Sequence, residues 1–592
     1  MPIVPLLLRG YFYIIMSTNS KLKELQEARS LEDLASILST PLQLLTYVLH
    51  GRHHHGLVNY KSFNIIKKSG GIRTINAPID ELKSIQKKLS TVLQDCQKTI
   101  NILEGHRTHD KKLVTIAHGF IKGKSIITNA EPHRNRKFVL NIDLQDFFDS
   151  IHYGRIYGFL VNNKHFKLNE NIARAITNLA CHDGKLPQGA PTSPIISNLI
   201  AGILDIRLAA LAYKHKLHYT RYADDITLST NLNEFPSSIA YIDNAHVVIG
   251  NKLRTSIEKQ GFSINHQKSR LQFKNSRQDV TGLIVNKKIN VKNEYRNRAR
   301  VLWNKIQNGK EIYAIGSEPE KTKNINYLVG VLSYIYHVRN SNLVRNGIPS
   351  ITHKKPTKKE IDSTLDANAR MYRDVLFFKY FIANKKPIII CEGKTDIIYI
   401  RSALLSLARK HRSLIDKKEA KIDFLRVSKT IKELFKISGG TGDIGNLISN
   451  YSSYCEHFKR FSPMAPVIIL IDNDSGAAPL RSLIKEITKT PFKKEDDYKY
   501  IINNLYIIQT PSIDGKDSAI EDLFDKKILQ TKLDGKSFIH KQSTFDIKKH
   551  YGKNHFAEYV VRQHQKEIDF SRFNLLFDSI KKIIKDYKSK PH

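Results

Sequence analysis

Cysteines are scarce in this chain, acids are few for the number of bases, and long apolar runs are missing. Only four cysteines occur in 592 residues, Cys96, Cys181, Cys391 and Cys455, far apart and with no CxxC pair. That spacing excludes a disulfide scaffold and a cysteine-based zinc site, and it fits a reducing cytoplasm. Acids number 56 against 95 Lys plus Arg, a formal net charge of +39. Such an excess calls for a polyanion, either nucleic acid or an anionic membrane. No apolar stretch near twenty residues stands out, which argues against a membrane and leaves nucleic acid as the partner. There is no internal repeat of fixed period.

With 41% hydrophobic and 26% charged residues the composition is that of a folded chain, and its length allows two to four domains. The opening "MPIVPLLLRGYFYIIM" holds Arg9 mid-run and lacks a small-residue cleavage site, so residues 1–16 read as an extension and not a signal peptide, with Met16 a second candidate start. "GRHHHG" (51–56) reads as a solvated loop before a metal tract. Residues 20–50 are helical, with Leu22, Leu25, Leu31, Leu34 and Ile37 on one face. Between 58 and 290 short β-rich runs alternate with helical ones, and 291–345 is helical and basic. "NGIPSITHKKPTKKE" (346–360) reads as a linker, placing a domain boundary near 350–380. Beyond it, "KPIIICEG" and "PVIILIDND" are continuous apolar runs of the kind found in parallel strands buried on both faces. The last sixty residues are Lys-rich and helical.

Two acidic clusters stand out. In "RYADDITLS" (221–229), Asp224 and Asp225 sit side by side between β-like runs, as at a hairpin turn. Asp143 ends another apolar run, "FVLNIDLQDFF". Adjacent carboxylates repel and are costly to desolvate unless something offsets the charge. Three that converge can hold two Mg²⁺ ions, one activating a hydroxyl and one steadying a leaving pyrophosphate. The second cluster is Glu392, directly after "PIIIC", with Asp472 and Asp474 after "PVIILI". Residues two apart on a strand share a face, and the carboxyl ends of parallel strands form a crevice, so this is a second Mg²⁺ candidate. Mn²⁺ would suit the same donors.

The order FxxxD, then "LPQGAPTSPIISNL" (186–199), then "YADD" resembles the reverse transcriptases. "NAEPH" (Asn129–His133) and "VTG" (Val280–Gly282) match motifs of the retron branch of that family. The resemblance implies a right-hand polymerase with fingers and palm over 17–290 and a helical thumb over 291–345. It implies that Asp143, Asp224 and Asp225 bind the metals. Phe148 would exclude a ribose 2′-OH, and Gln188 and Gly189 would line the template and nucleotide. Arg73, with Lys67 or Lys68, would grip the triphosphate, and Lys268 would protonate pyrophosphate. Asn129 and His133 would contact RNA, a local turn being the alternative.

The second cluster is similar to a Toprim domain over 385–530, the Mg²⁺-dependent fold of some nucleases, joined by a linker over 346–384 and followed by a helical region over 531–592. The expected fold is therefore multidomain, α+β then α/β with a mainly parallel sheet. Glu521 in "SAIEDLF" is either a further metal ligand or part of a capping box with Ser518. "GTGDIG" (440–445) lacks the acid expected about twenty residues on in a dinucleotide site and is closer to a Toprim glycine loop. Retron enzymes bind one structured non-coding RNA, prime from a guanosine 2′-OH and make branched RNA-linked DNA from dNTPs. A Toprim nuclease with its own nucleic-acid target would then serve anti-phage defence, with the ribonucleoprotein a candidate homo-oligomer. The rivals are a silent Toprim scaffold and a polymerase serving an intron-like mobile element.

Overall fold

The computed structural model describes residues 20–51, 58–66, 70–103, 116–310, 325–346, 356–417, 419–437, 441–512, 516–539 and 545–590. The extension 1–16, most of the histidine tract, Lys67, Lys68 and most of the 346–360 linker lie outside them, as do Gly440 and the side chains of Thr441 and Asp443 in the glycine loop. The chain divides into two compact units, 1–292 and 293–592.

In the first unit, strands β1 (Tyr60–Ile66) and β2 (Ile72–Pro78) form an antiparallel hairpin. Helix α1 (Asp80–Leu103) follows, burying Leu82, Ile85, Leu89, Leu93, Cys96 and Ile100 at helical spacing. Its buried Gln86 donates to the Tyr60 hydroxyl and the Leu179 carbonyl. After the short helix α2 (Ile126–Ala130) comes β3 (Phe138–Gln145). A long helix α3 (Ser193–Lys214) leads to the pair β4 (His218–Tyr222) and β5 (Asp225–Thr230). A small hairpin, β6 (Ala240–Asp243) and β7 (His246–Ile249), precedes β8 (Ser263–Phe273). The main sheet has the order β4-β5-β3-β8, antiparallel throughout. Alternation buries Ile142 and Leu144 of β3 and turns Asn141 and Asp143 to the other face.

Helix α3 corrects one expectation. Among the described residues it alone is long and apolar enough to cross a membrane by length and composition. The run is masked by Ser197, Asn198 and Asp205, all of them buried, and the helix is a core element packed beside β4.

The bridging strands β9 (Asp279–Val280) and β10 (Leu283–Ile284) end the first unit. Helices α4 (Asn293–Gln307) and α5 (Ile325–Asn346), the expected thumb, group with the second unit and not the first. Aromatic packing explains this. Trp303 of α4 meets Phe378 and Phe458 edge-on, and the Tyr336 hydroxyl of α5 donates to Glu433. Helix α6 (Ala367–Phe377) joins the same cluster through Phe377.

The second sheet contains β11 (Ile388–Cys391), β12 (Asp423–Phe424), β13 (Val467–Ile471), β14 (Tyr498–Ile502) and β15 (Leu505–Gln509), in the order β12-β11-β13-β15-β14. All pairings are parallel except the edge pair β14–β15. Strands β11, β13 and β15 are buried along their whole length, as their unbroken apolar runs require. Helices α7 (Asp396–Ser406) and α8 (Ala478–Thr488) follow the strand-end acids. The C-terminal helix α9 (Asn574–Ser589) is no appendage. Leu576, Phe577, Ile580 and Ile583 enter the sheet's core, and the Tyr506 hydroxyl donates to Asp586 at 2.8 Å.

Candidate functional site

The first acidic cluster is assembled by strand register. Asp143 of β3 stands directly opposite Asp225 of β5, and Tyr222 pairs with Asp225, leaving Ala223 and Asp224 as a two-residue turn. Ala223 has φ 55°, a left-handed conformation rare for a residue with a side chain. Three contacts hold it. Arg221 is wholly buried, grips Asp205 of α3 through two hydrogen bonds of 2.8 Å, and donates through Nη1 to the Ala223 carbonyl at 3.0 Å. The Leu144 amide donates to the Asp224 carbonyl at 3.0 Å. Gly119 lies so close that a Cβ there would sit 2.7 Å from the Ala223 nitrogen. The over-determined turn fixes where both aspartates point.

The electrostatics match the crowding. Burial, then the charges of Asp224 and Asp143, push Asp225 up to about 7. Burial and Asp143 also raise Asp224, against the pull of Lys268 and Arg73. Lys268 of β8 lies 3.0 and 3.1 Å from the two Asp143 oxygens. Among the described residues no three acidic, His or Cys side chains already converge as an ion cage. The donor set nonetheless fits a hard divalent cation, because carboxylates that resist joint ionisation are those a cation would relieve. A cavity of about 280 Å³ opens here, lined by Asp143, Asp225, Lys268 and Arg270.

The neighbouring predicted residues fall around this cluster. Gly189 has φ 125°, and a Cβ on it would lie 2.9 Å from the Asn76 carbonyl, so glycine lets this loop close on β2. The Asn76 amide donates to the Gln188 carbonyl at 2.9 Å, joining the loop to the strand that carries exposed Arg73. Phe148 is half-buried against Phe147 and Phe120. Asn129 and His133 are placed otherwise than expected, since both are fully buried. The His133 ring bonds the Ser229 hydroxyl at 2.7 Å and the Thr220 hydroxyl at 2.8 Å, and burial drives its pKa well down. Its place is inside, clamping β4 to β5, with no nitrogen left for RNA. The VTG segment meets α2, the helix that carries Asn129, with Thr281 donating to the Ile126 carbonyl at 3.4 Å.

The second cluster stands at the carboxyl ends of adjacent parallel strands. Cys391 pairs with Leu470, so Glu392 and Asp472 emerge side by side, and the Asp472 amide lies 3.5 Å from a Glu392 oxygen. Asp472 also accepts from the Ile520 amide at 3.0 Å. Asn473 is buried, turned away, and held by Arg481, which also reaches the Asp474 carbonyl. Burial and Asp472 push Glu392 up to about 7, and burial and Asp396 push Asp472 up to about 6.

Glu521 belongs to this group. Ser518 donates to the Pro511 and Thr510 carbonyls and Asp522 accepts from the Ala519 amide, so the S-x-x-E capping box does not form. Glu521 is instead buried and 3.0 Å from Lys553. Two residues of the cluster were not foreseen. Asp396 is buried one turn after Glu392 and accepts from the Gly393 amide at 2.8 Å. Lys553 comes from the Lys-rich region over 531–592. Burial pulls its pKa down, but Glu521, Asp472 and Asp396 outweigh that and leave it raised. Hard oxygen donors around one buried strand end again fit Mg²⁺.

Comparison with known proteins bears on the first unit, on α4 and on the start of α5. The reverse transcriptase (RNA-dependent DNA polymerase) family profile matches residues 65–328. The retron Mx65 reverse transcriptase of Myxococcus xanthus is 28% identical over 325 residues, covering 52% of this chain and 68% of that protein. The retron Mx162 enzyme of the same species is 34% identical, over 44% and 54%. The retron Ec86 reverse transcriptase of Escherichia coli is 32% identical over 300 residues, covering 50% of this chain and 80% of that protein. The chain thus spans from about half to four-fifths of these relatives. Taken with the paired aspartates of β3 and β5, that similarity places the chain in the retron reverse transcriptase family.

Proposed function

We propose that the chain copies part of a cognate structured non-coding RNA into 2′–5′ branched, RNA-linked single-stranded DNA, and that its second unit is a Mg²⁺-dependent Toprim nuclease acting as an effector in anti-phage defence. The observation that carries the first half is the register of Asp143 against Asp225 at a strained, pinned turn. Bound cations would neutralise the three carboxylates and polarise the attacking hydroxyl and the leaving pyrophosphate. The chain's own residues do the rest. Arg73 meets the triphosphate, Gly189 lets the backbone approach the nucleotide, and Phe148 stands against the sugar, where an added 2′-OH would clash. Lys268, ion-paired with Asp143 at 3.0 Å, would serve as the proton donor to the leaving pyrophosphate.

The second half rests on Glu392 beside Asp472 at the ends of adjacent parallel strands, with Asp474, Asp396, Glu521 and the cation of Lys553 close enough to act on them electrostatically. Raised pKa values in a strand-end crevice favour a working site over a scaffold. The test is to purify the chain and sequence the nucleic acid that accompanies it, before and after RNase and debranching treatment. One short DNA joined 2′–5′ to one RNA supports the reading, and Asp224→Asn with Asp225→Asn should remove the DNA and keep the RNA. Linear DNA or a mixed RNA population overturns it. For the second unit, Glu392→Gln should abolish cleavage or toxicity while assembly persists.

A further inference from the structure

Beside the second acidic cluster lies a cavity of about 690 Å³, within the size range of small-molecule sites. Its floor is aliphatic, built from the buried Leu425 and Ile444 with Ile398 and the partly exposed Leu405. Its rim is cationic, with Lys394, Arg401, Arg426 and Arg562. Two acids line it. Glu558 is paired with Arg562 at 2.9 Å, and Glu392 is the carboxylate assigned above to a metal. Glu392 and Gly393 form one edge, so the cavity reaches the strand-end cluster through Glu392. Lys394 also lines a second hollow of about 400 Å³, whose other wall includes Lys553.

An aliphatic floor beneath a positive rim suits a ligand with a flat apolar body and an anionic group. We propose that this cavity receives one nucleotide, its base on the Leu425 and Ile444 floor and its phosphate on the arginine rim, with the next phosphate led past Lys394 toward Glu392. A base can enter only if it has left its pair and stack, so the site selects unpaired nucleic acid and rejects duplex. The same chemistry belongs to a free nucleotide and to an unpaired unit of a strand. The strand version rests on the Toprim reading; the pocket itself does not.

The probes are 2-aminopurine riboside 5′-monophosphate, a short single strand carrying one 2-aminopurine, and its blunt duplex. Each is titrated onto the full chain with Ca²⁺ in place of Mg²⁺, and 2-aminopurine emission is followed. The single strand should show a rise in emission that the duplex lacks. Arg401→Ala with Arg426→Ala should weaken binding by about tenfold or more, since two charge-assisted contacts are lost. Leu405→Trp, at the exposed edge of the floor, fills the cavity and should do the same. A strand bound at least tenfold tighter than the mononucleotide identifies the strand as the source, and equal binding identifies the free nucleotide. An equal response to duplex, or a single-strand response unchanged in both variants, overturns the proposal. Cleavage that persists with an unresponsive pocket sinks this inference alone. A pocket that fills in a chain that never cleaves sinks the nuclease reading alone.

Discussion

Replacing Asp225 by Asn should inactivate polymerisation and, in the metal-free protein at pH 8, stabilise the strands around it. The sign follows from the pKa. An unfolded aspartate ionises near 3.8, whereas Asp225 in the folded chain resists ionisation until about 7. Below about pH 4 both states are protonated and the group is neutral to stability. As pH rises to 7 the unfolded state ionises first, and folding loses stability until the folded group ionises too. At about 1.4 kcal/mol per pH unit, the span from 3.8 to about 7 corresponds to about 4 kcal/mol as an upper bound. Asparagine keeps the shape and removes the charge. Two units make one global unfolding free energy ill-defined, so the assay is hydrogen exchange on peptides covering β3 and β5, in EDTA. Asp225→Asn should exchange more slowly than wild type at pH 8 by a few kcal/mol in protection. At pH 5, where only the unfolded aspartate is ionised, the gap should narrow, and below about pH 4 the two should converge. Equal or faster exchange in Asp225→Asn at pH 8 would refute the claim that uncompensated charge is stored at this turn.

Three further outcomes are expected. Arg221→Leu should destabilise the first unit by about 3–5 kcal/mol in urea, because Asp205 is left charged and buried, and adding Asp205→Leu should recover much of it. His133→Ala should cost about 1–3 kcal/mol, through two buried hydroxyls left unpaired, with RNA affinity per folded molecule unchanged; lost affinity at full stability would restore an RNA contact. With Glu392 raised to about 7 and Asp472 to about 6, the melting shift that Mg²⁺ gives the second unit should be small at pH 5.5 and grow toward pH 8. Glu392→Gln should flatten that profile.

Strand runs and motif spacing were enough to locate both acidic clusters, because Asp143, Asp224, Glu392 and Asp472 each fall in or directly after a strand-forming run, and that is a local signal. What supports the clusters is not local. Arg221 and Asp205 are paired across a helix and a strand, and nothing in "RYADD" marks the arginine as buried. His133 looked like a surface contact because its motif is short and polar; Thr220 and Ser229, which bury it, lie 87 and 96 residues away. Lys553 is one lysine in a Lys-rich region, and only the fold sets it beside Glu521. Asp396 was within reach, four residues after Glu392 in "EGKTD". That the helices beyond 292 group with the second unit escaped notice for a similar reason. Gly and Pro mark where a chain bends, whereas Trp303 and its aromatic neighbours decide which unit α4 joins.

The most direct measurement is anomalous diffraction from crystals of the full chain soaked in Mn²⁺. Peaks are expected at two places, one between Asp143 and Asp225 with Lys268 moved off Asp143, and one against Glu392 and Asp472. Crystals with Mn²⁺ elsewhere on the protein, Lys268 still on Asp143 and no peak at either strand-end cluster would contradict the assignment of two phosphate-processing centres.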